Sequence, residues 1–308
     1  MEKSPLQIAI FGMPGSVFTE RAMRALLEGI SASQSEVQLR YLVLPHRPRP
    51  AQTFPVPVEV HEPLIELANT HGVACLAYHH ENSAALLSSW QSAPPDLVIV
   101  ACFPYRLSET LLESIKYGGW NIHPSLLPAY RGPDPLFWQL RDGASRYGIS
   151  LHQMTDTLDQ GLVYCQREIE LSVEQFRRID ARLAELSGEC LTECLLRLLD
   201  NSLQTIPTPE ERQMSYQSFP KGSDCSCADT LPAWTAYAFF KRALMYSPHV
   251  SLQTLNMEIR FSGIHDFHID QYPKAVQREN NFLHIRMQQG SLVIRISDVI
   301  NQDELGII

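Results

Sequence analysis

The chain reads as an α/β protein: a doubly wound, mostly parallel sheet followed by a smaller, mainly-β region. Three observations predict this. Short apolar runs at residues 6–11, 37–44, 73–78 and 97–101 alternate with segments of helical periodicity, the pattern of a parallel sheet wrapped by helices. The run Leu97-Val98-Ile99-Val100-Ala101 has no polar face, as a strand covered on both sides requires. Beyond residue 206 the pattern changes to one helix and several short strand-like segments around Gly and Asn turns.

Taken in order, residues 6–11 form the first strand, and Gly12-Met13-Pro14-Gly15-Ser16 turns it into a helix over 19–27. Those glycines fit either a tight strand-to-helix turn or a backbone approach to a phosphate at the helix start. The Gly-x-Gly-x-x-Gly spacing of a dinucleotide site is absent. A strand at 37–44 leads into the proline-rich Pro45-His46-Arg47-Pro48-Arg49-Pro50. A helix at 63–71, a strand at 73–78 and a helix at 83–90 follow. Pro94-Pro95 breaks the chain before the aliphatic strand at 97–101. Ser108 has the hydroxyl to cap a helix over 109–116. Gly118-Gly119 precedes a strand at 120–123, and Pro133 and Pro135 open the next helix. Strands at 148–154 and 162–169 pair across a short loop, and 173–199 carries an apolar stripe of helical spacing. Thr205-Ile206-Pro207-Thr208-Pro209-Glu210 reads as a linker, dividing the chain into a larger α/β unit, 1–205, and a small β unit, 206–308. In the second unit a helix at 233–245 precedes strands at 252–261, 282–287 and 291–296.

Composition narrows the function. Hydrophobic residues make up 44% of the 308, enough for a sizeable core. The formal net charge of −9 makes nucleic acid an unfavoured default partner. The seven cysteines lack the paired spacing of a zinc site or a disulfide framework, so reduced thiols and no metal are expected. The start, Met1-Glu2-Lys3-Ser4-Pro5, lacks the apolar core of a signal peptide, and no run approaches a bilayer's width. A cytoplasmic protein without a membrane partner is expected.

The chemistry concentrates in Trp120-Asn121-Ile122-His123-Pro124-Ser125-Leu126-Leu127-Pro128-Ala129-Tyr130-Arg131-Gly132. Alternation along a strand turns Asn121 and His123 to one side and Trp120 and Ile122 to the other. Pro124 stops the strand, and Pro128 and Gly132 force a turn. An amide donor beside a titratable ring at a strand end suits a reaction at a carbonyl carbon: one group holds the developing oxyanion, the other handles a proton or adds positive charge.

The run Asn-Ile-His-Pro-Ser-Leu-Leu-Pro followed by Arg-Gly resembles the signature of the folate-dependent formyltransferases, a family that includes glycinamide ribonucleotide, methionyl-tRNA and sugar-nucleotide formyltransferases. Thr155-Asp156-Thr157-Leu158-Asp159-Gln160-Gly161 is similar to the family's second motif, with Gln160 where Thr or Ala is usual. The resemblance implies a Rossmann-like formyltransferase fold with a barrel-like C-terminal region, and 10-formyltetrahydrofolate as co-substrate. It implies catalytic roles for Asn121, His123 and Asp159. It implies folate contacts, mostly through backbone, from Phe103, Tyr105, Arg106, Leu107 and Ser108 in one loop and Thr155, Asp156, Leu158 and Gly161 in the other. Ser125, Arg131 and Gly132 are expected to shape the loop or position substrate. The partners are then the folate donor and an acceptor amine.

The acceptor stays open. Methionyl-tRNA fits the layout, but the C-terminal region carries nine basic against eleven acidic side chains, and a tRNA grip should be basic. An amino sugar nucleotide or another small amine suits that balance better. Two rival functions remain: hydrolysis of the formyl donor by the same three residues, and non-catalytic folate binding, which would have no need of them.

Overall fold

The computed structural model describes residues 4–32, 37–46, 64–79, 84–207, 215–303 and 305. The proline-rich segment at 47–50 and the linker residues 208–210 lie outside them.

The first half is a single sheet. Strands β1 (Leu6–Gly12), β2 (Val37–Pro45), β3 (Ala74–Tyr78), β4 (Leu97–Ala101), β5 (Gly119–His123), β6 (Tyr147–Gln153) and β7 (Val163–Ile169) lie in the order β3-β2-β1-β4-β5-β6-β7. The first five are mutually parallel; β6 runs antiparallel to β5, and β7 antiparallel to β6. The chain winds outward from β1 to β3, then returns to place β4 on the other side of β1. Its switch point is the crevice beyond the carboxyl ends of β1 and β4.

Side-chain alternation divides the core in two. Ile8, Ile10, Leu97, Ile99, Trp120 and Ile122 face a large cluster covered by α1 (Val17–Ala32) and α6 (Ile179–Leu199). Ala9, Phe11, Tyr41, Val43, Val98 and Val100 face a smaller one that includes Leu86 of α3 (Ala84–Ser89) and Leu111 of α4 (Glu109–Glu113). The short α2 (Leu64–Thr70) buries Leu64, Leu67 and Ala68 in the larger cluster. Gly12 owes its place to packing: a Cβ there would meet Thr19 Cγ2 at 2.0 Å, while Met13 N–H donates to Thr19 Oγ1. The loop makes a tight strand-to-helix turn, with Ser16 N–H donating to the Met13 carbonyl at 3.1 Å.

α5 (Pro135–Arg141) follows the motif loop, with Asp134 as its N-cap. The helix expected over 173–199 is two pieces: a 3₁₀ segment, Val173–Arg178, then α6. Arg178 breaks the run with φ −134°.

The C-terminal region is mainly β, as expected, and consists of two small sheets packed on α7 (Ala233–Ala243). One holds β8 (Ser226–Ala228), β9 (Val250–Gln253) and β10 (Glu258–Phe261). The other holds β11 (Asp266–His268), β12 (Val276–Glu279), β13 (Phe282–Arg286) and β14 (Ser291–Arg295) in the order β11-β14-β13-β12. The strand expected over 252–261 is the β9–β10 hairpin, because Thr254 folds back onto Met257 through its N–H and its hydroxyl. α7 seats Phe240 on Phe261 at 4.8 Å and Tyr237 on Phe267 at 5.3 Å, ring centre to ring centre.

Candidate active site

β5 carries the first two candidate groups to its carboxyl end. Asn121 and His123 share the face opposite Trp120 and Ile122, as alternation requires. Because β6 runs antiparallel to β5, His152 lies directly across from Asn121 and Ser150 across from His123. β6 ends beside Trp120 and Gly119, and from there the β6–β7 loop folds back to deliver, between Asn121 and His123, Asp159. Its backbone is left-handed, φ 54°, a conformation Asp tolerates better than most residues.

Four side chains thereby meet. His123, His152 and Asp159 are only 4%, 2% and 7% exposed. The Asn121 amide nitrogen donates to His152 Nε2 at 3.1 Å and to Asp159 Oδ1 at 3.3 Å. His152 Nδ1 donates to its neighbour Gln153's carbonyl at 2.8 Å, which leaves Nε2 as the acceptor for Asn121. His123 Nε2 faces the Tyr130 carbonyl at 2.9 Å and so carries a proton, since a carbonyl only accepts. His123 Nδ1 then faces Asp159 Oδ2 at 3.7 Å. The Gly132 N–H donates to Oδ2 at 2.9 Å.

Burial pushes His123 below the ordinary imidazole value, and nearby His152 adds to that; the Asp159 carboxylate and the Tyr130 carbonyl pull the other way. Burial alone would raise Asp159. The two imidazoles and the Gly132 N–H outweigh it, holding the carboxyl well below the usual carboxylate range.

The loop that supplies Tyr130 and Gly132 is itself held. Tyr130 N–H donates to Ser215 Oγ at 2.8 Å and Arg131 N–H to the Ser215 carbonyl at 2.9 Å; Gln217 N–H returns to the Arg131 carbonyl at 2.8 Å. Residues 215–217 thus run parallel to 130–132, so close that a Cβ on Gly132 (φ 115°) would meet the Gln217 carbonyl at 1.9 Å. Ser125 is fully buried and donates to the Ala129 carbonyl, inside the loop. Arg131 is nearly buried, its Nε reaching the Pro128 carbonyl at 3.4 Å.

The two candidate folate loops also meet. The Arg106 guanidinium donates to the Asp156 carbonyl, joining residues 103–108 to 155–161. Phe103 and Tyr105 are half-buried, and Phe103 stacks edge-on against Phe11 at 5.2 Å and Tyr78 at 5.4 Å. Leu107 points into the smaller core, and Ser108 caps α4 by accepting from Leu111 N–H at 3.3 Å. Thr155 and Asp156 are exposed, Leu158 is half-buried, and Gly161 lies against the Gln153 carbonyl, where a Cβ would come within 1.8 Å. The residue that sequence reasoning passed over is His152. It stood in the predicted strand at 148–154, and an antiparallel pairing of that strand with residues 120–123 would have exposed it as Asn121's partner. Among the described residues, no group of His, Cys, Asp and Glu is placed to hold a metal, and all seven cysteines are free thiols.

An amide, two imidazoles and a buried carboxylate at the strand ends of a doubly wound sheet equip an enzyme that works at a carbonyl carbon. The family described as formyl transferase matches residues 21–195, and the chain belongs to that family. Membership makes it an enzyme of formyl transfer. A methionyl-tRNA formyltransferase of Thermotoga neapolitana is 32% identical over 225 residues, 66% of this chain and 70% of that one. Its counterpart in Thermotoga maritima is 35% identical over 179 residues, 58% of this chain and 55% of the relative, so here the chain spans about half of the relative's length. Among solved structures, an N-formyltransferase from Helicobacter canadensis, determined with folinic acid and dTDP-3-aminofucose, overlays with a TM-score of 0.58 at 11% identity, covering 96% of this chain and 100% of that one. Phosphoribosylglycinamide formyltransferase from Anaplasma phagocytophilum overlays at 0.53 and 17% identity, covering 69% of this chain and 98% of its own. At these identities the likeness is one of fold. No helix among the described residues is long and apolar enough to cross a membrane.

Proposed function

We propose that this chain transfers the formyl group of 10-formyltetrahydrofolate to a primary amine, in the cytoplasm, with Asn121, His123 and Asp159 as its catalytic residues. The observation that carries the proposal is the Asp159 carboxylate held between Asn121 and His123, 3.3 Å from the amide and 3.7 Å from the ring. The donor supplies an activated formyl group and a nitrogen leaving group. Asn121 donates an amide N–H to the formyl oxygen as charge gathers there, exchanging one of its hydrogen bonds to His152 and Asp159 for one to the oxyanion. His123, with Nε2–H fixed on the Tyr130 carbonyl, takes the amine's proton at Nδ1; the imidazolium is then paired with Asp159 and can return the proton to the leaving nitrogen. The loops at 103–108 and 155–161 cradle the pterin, with Phe103 and Tyr105 supplying apolar surface and the exposed Thr155–Thr157 backbone supplying hydrogen bonds. Ser125, Arg131 and Gly132 keep the motif loop in shape for the acceptor. Residues 1–205 serve as the catalytic unit, and residues 206–308 complete the acceptor side.

Two acceptor classes are weighed. The relatives in Thermotoga point to methionyl-tRNA. The acidic balance of the C-terminal region favours a small amine such as an amino sugar nucleotide. Incubation with formyl-labelled donor and, in separate arms, charged initiator tRNA, amino sugar nucleotides and glycinamide ribonucleotide decides between them by where the label goes. Label recovered only as formate, at a rate no amine raises, would replace transfer with hydrolysis. With the acceptor in hand, Asn121→Ala and Asp159→Ala each lose about 10²–10³ in kcat while keeping a native circular dichroism spectrum. Near-normal turnover in either variant removes that residue from the catalytic set.

A further inference from the structure

The motif loop is gripped at its far end by a buried charge cluster to which the C-terminal region contributes Arg242 and Tyr246. Asp134 lies two residues beyond Gly132 and is only 3% exposed. Its ordinary task, capping α5, needs one acceptor oxygen, and Oδ1 accepts from Phe137 N–H at 3.3 Å. The side chain does far more. Arg242 of α7 places Nε 2.8 Å from Oδ1 and 3.0 Å from Oδ2, with a second guanidinium nitrogen 2.7 Å from Oδ1. The remaining arm of Arg242 reaches Asp180 on α6 at 2.7 Å. Tyr246, just past α7, donates its hydroxyl to Oδ2 at 2.5 Å and seats its ring on Phe137 at 5.4 Å. Buried ion pairs of this kind are poor stabilisers, because desolvation offsets the attraction, and apolar residues would hold α7 to α5 as well. The segment that the cluster grips runs directly into the two backbone groups that contact His123 and Asp159.

We propose that Arg242 and Tyr246 are positioning residues for formyl transfer: through Asp134 they hold the 130–134 loop, so that the Tyr130 carbonyl and the Gly132 N–H keep His123 and Asp159 in working register. The inference rests on the formyl-transfer reading for its kinetic arm, while its spectroscopic arm needs no turnover. Among the described residues, the titratable groups facing His123 are Asp159, from the β6–β7 loop, and His152, from β6.

The test uses the full chain with Arg242→Gln, Arg242→Lys and Tyr246→Phe; the last keeps the ring on Phe137 and so guards against a variant that simply fails to fold. Tyr246→Phe lowers kcat about tenfold, the weight of one hydrogen bond to a charged group, and Arg242→Gln lowers it on the order of 10²-fold, as loss of alignment does. Arg242→Lys recovers part of that loss, and KM for the folate donor stays within about twofold throughout. In parallel, nitrogen NMR follows the titration of His123 with and without Asp159→Asn. In the wild type that substitution lowers the His123 midpoint; in the Arg242→Gln background the drop is smaller, because the two residues are no longer held together. Variants that melt earlier yet keep both kcat and the full His123–Asp159 coupling overturn the proposal and leave the cluster a purely structural one. A wild type that transfers no formyl group to any amine defeats the reading instead, and the coupling measurement alone then decides the positioning role.

Discussion

His123 is a buried imidazole with its protonation state set by three neighbours. Burial and His152 keep it neutral, and Asp159 offsets only part of their effect, so its folded-state value lies below that of an unfolded histidine. A folded value depressed in this way contributes stability that is fully present above the unfolded value, about 6.5, and is lost as the pH falls below it. Asp159 stays ionised across that window because its own value is held far lower. The expected outcome is that the urea midpoint of the wild type falls further between about pH 7.5 and about pH 5.5 than that of His123→Gln. Equal falls would mean that His123 titrates as an ordinary surface histidine. Much of this residue-level picture was legible in the sequence. A strand's alternation sufficed to put Asn121 and His123 on one face. Asp159 was reachable only through its motif, since a carboxylate at a loop tip is normally just solvated. His152 was invisible without the β5–β6 register, and the Tyr130 carbonyl and Gly132 N–H carry no side-chain signal at all.

Among the elements, the antiparallel pairing of β6 with β5 sets His152 across from Asn121. The same reversal ends β6 beside Trp120 and Gly119, so the loop that follows must fold back along β5 to bring Asp159 to His123. Gly161 lets that loop pass against the Gln153 carbonyl at a distance no side chain allows. Gly161→Ala is therefore expected to cost about 1–3 kcal/mol in denaturant unfolding and to lower kcat as well, because the turn that carries Asp159 must move. Unchanged stability would show that the turn has slack. The expected parallel strands and the β6–β7 hairpin were plain in the sequence because their apolar runs are unbroken or strictly alternating. The elements that came out differently have weak local patterns. Thr254 and Asn256 break what reads as one strand, and the start of the long helix is polar enough to close as a 3₁₀ turn before Arg178.

For the molecule as a whole, the notable fact is that the larger core does not stop at the linker. It runs from Ile8 under the sheet to Ile294 in β14, through Phe137 against Phe239 at 5.3 Å, and Trp138 donates to the Ser218 carbonyl at 3.1 Å. Apolar surface shared in this way couples the unfolding of the two regions. Scanning calorimetry of the full chain is accordingly expected to give one cooperative transition; two separated peaks would show that the regions unfold independently. The passage of residues 215–217 alongside 130–132 also has a bearing on how the protein is made. All seven strands of the sheet, with Asn121, His123, His152 and Asp159, are translated before Ser215, whose hydroxyl receives a hydrogen bond from a residue 85 positions upstream. A nascent chain paused just short of that serine holds Asn121, His123, His152 and Asp159 but not the strap that pairs with the 130–132 loop.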